Sequence, residues 1–146
     1  MAADPNATYT LDEPYRSRML GWITELESGK YIQGFGRLET TDSDGRVKHC
    51  CLGVACRYAM ATDLPNLPTV QIPVEEGSTS RRTAFGDGLT TGMLPFEVIE
   101  WLSPMGPNGR YVLLQGPLTR MNDDLTHDFP AIAAYLRKRF KLPKES

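Results

Sequence analysis

Histidine is scarce in this chain: His49 and His127 are the two present among 146 residues. Cysteine is scarce as well, with Cys50, Cys51 and Cys56 and no CxxC pair. That inventory matches no zinc spacing, so neither a metal nor another cofactor is expected. An odd cysteine count with no signal-peptide pattern argues against a disulfide framework and for a reducing cytoplasm. No apolar run approaches the roughly 20 residues of a membrane helix, so no membrane partner is expected. Charge of either sign lacks an excess: 16 basic and 18 acidic residues leave a net −2. Nothing global therefore points to nucleic acid. The glycines of residues 34–36 lack the G-x-G-x-x-G spacing and a following helix, which excludes a dinucleotide fingerprint.

What is present is a chain of one-domain length with 40% apolar residues, enough for a real core. Thirteen glycines and eleven prolines predict much turn and loop. Residues 1–11 read as a flexible arm, 12–142 as one α+β domain and 143–146 as a tail. The expected architecture is three to four helices with a short, mainly antiparallel sheet.

The densest apolar stretch, 47–59, organises the rest. The Asp44-Gly45 reversal precedes it, and residues 46–50 alternate weakly as a strand. From Cys51 the period becomes helical, with Leu52, Ala55 and Ala59 on one stripe. Gly53 costs about 1 kcal/mol against alanine in a helix, so close backbone approach or an irregular first turn is expected there.

Before it, Asp12 and Pro14 open a helix whose stripe is Tyr15, Met19, Trp22, Ile23 and Leu26, and Gly29 ends it. Residues 31–35 alternate as a strand. After the central helix, 70–74 reads as an edge strand because of Pro73, and 81–85 as another. Residues 94–102 form a short helix, and 110–115 read as the clearest strand. Gly116-Pro117 breaks that strand, and 121–124 reads as a turn segment. Asp128 caps a last helix with the stripe Phe129, Ile132, Ala133, Leu136 and Phe140. The basic residues 137–139 and 141 read as a solvated face that suits the helix dipole.

Three strings, at residues 29–38, 50–54 and 118–133, resemble a family of small proteins from bacteriophages and their actinobacterial hosts. Its pattern joins an amphipathic helix, Gly-Lys-Tyr-x-Gln-Gly-x-Gly-Arg-Leu, Cys-Cys-Leu-Gly-Val and a late Met-Asn-Asp. Family members carry Glu-Ile-Ala-Asp after the late phenylalanine, where this chain has Ala131-Ile132-Ala133-Ala134. The resemblance implies a phage-linked accessory protein in the host cytoplasm. It implies no reaction.

Three functions compete. The first is a non-catalytic binder of a host protein or a small phosphorylated, nucleotide-like metabolite. Its ligand site would join Tyr31, Gln33 and Arg37 to Asn122 and Asp123, since selective pockets need a few convergent polar groups. Arg37 is a fork for phosphate or carboxylate there, with a solvated or structural ion pair as the alternative. Asn122 and Asp123 otherwise shape a turn. The second is a thiol-dependent hydrolase using Cys51, His127 and Asp123, against which stands simple core packing of the cysteines. The third is a structural or regulatory oligomer, such as a homodimer, without a small ligand.

Overall fold

Gly29, at φ +77°, stops the first helix where the alternating segment begins. The computed structural model describes residues 4–124 and 126–144. They form a single small α+β domain with five helices: α1 (Tyr15–Glu27), α2 (Cys51–Ala61), α3 (Phe96–Leu102), α4 (Gln115–Asp123) and α5 (Phe129–Arg139). The strands are β1 (Ile32–Gln33), β2 (Glu39–Thr41), β3 (Val47–His49), β4 (Thr69–Pro73) and β5 (Arg81–Phe85). They make one sheet in the order β1-β3-β2-β5-β4. The β1–β3 pair is parallel and the other pairs are antiparallel. Pro73 closes an edge strand, where its missing N–H costs no ladder bond.

α2 is buried along nearly its whole first turn and touches α1, α3, α4 and β3. A side chain on Gly53 would meet the Leu38 carbonyl oxygen at 1.7 Å. Glycine is required there so that the helix can lie directly on the backbone before β2. Trp22 of α1 is fully buried, and its indole N–H donates to the Cys51 carbonyl at 3.0 Å. α5 packs on α1 and α4, with Ile132, Ala133, Leu136 and Phe140 all buried. Asp128 caps α5 by accepting from the Ala131 N–H at 3.0 Å.

Several expectations are corrected. There are five helices, not three or four, because residues 115–123 are helical. Pro117 sits in the first turn of α4, where a missing N–H is harmless, so the Gly116-Pro117 pair opens a helix. Residues 110–114 form no strand; Tyr111 makes one isolated bridge with Met105. Asp12 does not cap α1. The Glu13 carboxylate instead accepts from the Ser17 N–H and hydroxyl.

Over its described residues the arm makes contacts with the domain. Leu11 is buried, Tyr9 N–H donates to the Arg139 carbonyl at 2.7 Å, and the Tyr135 hydroxyl donates to the Pro5 carbonyl. The basic end of α5 is not simply solvated. Arg139 is 3% exposed and donates to the carbonyls of Val112, Asp4 and Ala7. Arg137 grips Glu27 of α1 with two hydrogen bonds, at 2.7 and 2.8 Å.

Candidate functional site

The β1–β3 pairing and the last turn of α4 bring Gln33, Asn122 and Asp123 together. Asn122 is fully buried. Its Oδ1 accepts from Gln33 Nε2 and from the Cys51 N–H, both at 3.1 Å. Its Nδ2 donates to the Gly34 carbonyl at 2.8 Å and to Asp123 Oδ1 at 3.0 Å. A backbone N–H can only donate, so Cys51 fixes which end of the amide faces it. Cys50, the residue before α2, offers no side-chain cap. The first amide of α2 is therefore capped from another helix, by Asn122.

A primary amide has two acceptor positions and two donors, and Asn122 has used all four. Gln33 spends its second donor on the His127 carbonyl at 3.0 Å. Asp123 also accepts from the Gly36 N–H at 3.0 Å. Tyr31 turns elsewhere, with its ring edge-on to His49 at 5.1 Å. Arg37 is half-buried and has no side-chain partner among the described residues. It lines a crevice with Cys50, Thr119, Asn122 and Asp123 whose volume is about 10 Å³. That is room for about one water, not a metabolite. Four of the five expected ligand residues are thus gathered, but the polar ends of three of them are committed to one another or to the backbone.

The thiol arrangement is not assembled. The Cys51 thiol is directed at the Leu118 carbonyl at 3.8 Å, and burial pushes its pKa well above the ordinary value. His127 Nδ1 lies 2.8 Å from the Thr126 hydroxyl and 3.7 Å from Asp124. Among the described residues no hydrogen bond joins His127 to Cys51 or Asp123. Burial also raises Cys56 well above its ordinary value and Cys50 to about 11. All three thiols are free. No group of three or more possible metal ligands occurs among the described residues. None of their helices is long and apolar enough to cross a membrane.

A second polar cluster joins the sheet to α2. Glu39 is 3% exposed. It accepts from Arg57 Nε and Nη2 at 2.6 and 2.7 Å, from His49 Nε2 at 2.7 Å and from the Thr83 hydroxyl at 2.7 Å. Burial pushes its carboxyl up, but the bonds from Arg57, His49 and Thr83 outweigh this and hold it well below the usual range. These four close the sheet onto α2. An acid in a threonine-rich strand gives no periodic sign of burial, and its partners stand 10, 18 and 44 residues away.

A larger hollow lies between α3 and α4. It is a groove of about 400 Å³ whose apolar wall is formed by Met93, Ile99, Tyr111, Leu113 and Leu114. Pro5 of the docked arm forms part of its rim, with Arg110 and Arg120. Met93 is 57% exposed. Phe96, one turn before Ile99 on α3, is 65% exposed, and Met105, bridged to Tyr111, is 58% exposed. This surface has no sequence signature, because its residues come from four separate segments. Comparison with protein-family models, with curated proteins and with solved structures returned no match.

Proposed function

We propose that the chain is a non-catalytic accessory protein of the phage–host kind, working in the bacterial cytoplasm by binding a host protein. The observation that carries this reading is the apolar α3–α4 groove, lined by the exposed Met93, with exposed Phe96 one turn from its lining residue Ile99 and exposed Met105 bridged through backbone to its lining residue Tyr111. Single exposed apolar residues are ordinary; several grouped about an apolar hollow mark a partner surface. Methionine suits such a surface because its unbranched chain adapts to what it meets.

Binding has more support than hydrolysis because the one candidate nucleophile is buried, and burial pushes its pKa up, against formation of the thiolate. A protein partner has more support than a phosphorylated metabolite because the Asn122 crevice is spent on internal bonds. The experiment places a photo-crosslinking residue at Met93, and in a second variant at Val70 on the edge strand β4, before exposure to actinobacterial cytoplasm. A discrete adduct from position 93 is expected, lost when Phe96→Glu is added and absent from position 70. Equal adducts from both positions would reject the reading.

A further inference from the structure

Resting on the protein-binding reading, we infer that the α3–α4 groove takes a peptide segment in which a carboxylate stands beside a large apolar side chain. The first ground is unspent charge. No acidic residue lines the groove, and the side chains of Arg110 and Arg120 have no partner among the described residues. This local excess of two positive charges sits on a chain of net charge −2. The other large hollows differ. The hollow beneath residues 142–144 is also basic, with Arg16, Arg137 and Lys144, but it holds an acid of its own, Glu27, which is bonded to Arg137 and attracts Lys144. The hollow at residues 63–68 carries Asp63, Asp87 and Glu97, which would repel a carboxylate.

The second ground is the start of α4, which opens on the same groove. Leu114 precedes the helix and supplies no side-chain cap. The Gln115 side chain lines the groove and does not cap the helix, its Oε1 accepting from the Leu94 N–H at 2.7 Å. A Cβ on Gly116 would meet nothing within 4 Å, so a ligand can approach the backbone there. Pro117 has no N–H, so the amides that can add donors beside the two guanidinium groups are those of Gln115 and Gly116, an arrangement suited to a carboxylate. The third ground is shape. The groove is open to solvent, which suits a side chain projecting from a longer chain, whereas a metabolite site encloses most of its ligand.

The test is a selection of random twelve-residue peptides displayed against the full chain, with binding of the enriched peptides then measured by fluorescence anisotropy. Enriched sequences are expected to place Asp or Glu within two or three residues of Leu, Met or Phe. The Arg110→Gln/Arg120→Gln variant, whose substitutions are both exposed, is expected to bind them about tenfold more weakly and with a shallower salt dependence. Phe96→Glu should bind them more weakly still. Enriched peptides that lack acids, or that bind the double arginine variant equally well, overturn the carboxylate assignment. If those peptides still lose binding in Phe96→Glu, the protein-binding reading survives without it. Absence of any peptide sensitive to Phe96→Glu overturns both. A wild-type dimer in light scattering that Phe96→Glu dissociates assigns the groove to a second copy of the chain and also overturns the inference.

Discussion

Gln33 and Asn122 lie 89 residues apart in sequence, and their side-chain amides meet at 3.1 Å. The bond is one of four at Asn122, which ties β1, the start of α2 and the end of α4 into one unit. Its closure explains why a cluster with the composition of a ligand site is a structural lock. Asn122→Leu preserves volume but leaves the Cys51 N–H, the Gly34 carbonyl and a Gln33 donor without that partner. A loss of about 2–4 kcal/mol in urea unfolding is expected. A loss below about 0.5 kcal/mol would show that the lock holds nothing.

Gly53→Ala separates helix propensity from packing. Alanine is favoured over glycine within a helix by about 1 kcal/mol. The new methyl would overlap the Leu38 carbonyl oxygen, which also accepts from the Cys50 N–H at 3.3 Å. Backbone cannot swing aside as a flexible side chain can. A net loss of about 2–4 kcal/mol is expected from thermal unfolding, against the sign of propensity. A stabilised variant would mean that α2 stands further from Leu38.

Glu39 makes the fold sensitive to acid. Its carboxyl is held below its ordinary value in the folded state, so the unfolded chain takes up the proton more readily. Its stabilising contribution is complete above the unfolded pKa of roughly 4.3 and is lost as pH falls toward the folded value. Glu39→Gln should therefore lower stability at pH 7 and flatten the acid limb of stability against pH below roughly 4. The loss at neutral pH is expected to be about 2–3 kcal/mol, less than for a fully buried pair, because the Arg57 side chain is 36% exposed. Parallel acid limbs for the variant and the wild type would remove Glu39 from this role.

How much was legible varies with the kind of signal. α1, α2 and α5 follow from apolar stripes punctuated by Gly29 and Asp128, since those residues act locally. The meeting of Gln33 with Asn122 was readable as chemistry, because both segments carry donors and acceptors beside glycines. That these groups would match one another was not readable, because it depends on the register of β1 with β3 and the end of α4. Residues 110–114 have strand composition without a strand neighbour, and only Tyr111 finds a bridge. β-propensity reports fit to a half-buried pleated surface and supplies no partner. The charges of α5 misled for a related reason: a run of cations looks solvated until a distant segment offers carbonyls.

Arg139 supplies the clearest case. Its guanidinium is buried without a carboxylate and is satisfied by the carbonyls of Val112, Asp4 and Ala7, with Tyr9 beneath it at 5.0 Å. The fork geometry matters, because one planar group reaches both the arm and the loop before α4. Arg139→Met keeps most of the apolar stem but strips the donors from three carbonyls. Faster amide exchange at Ala7 and Tyr9 is expected, together with a loss of about 2–3 kcal/mol. Arg139→Lys should recover little, since a single ammonium cannot span the same acceptors. Because Pro5 forms part of the groove rim, release of the arm should also raise proteolytic cleavage near residue 5 before the domain unfolds. If amide exchange at residues 7–9 stays at the wild-type rate while the domain loses stability, Arg139 serves the core alone, and the arm is held by Leu11 and Tyr135 instead.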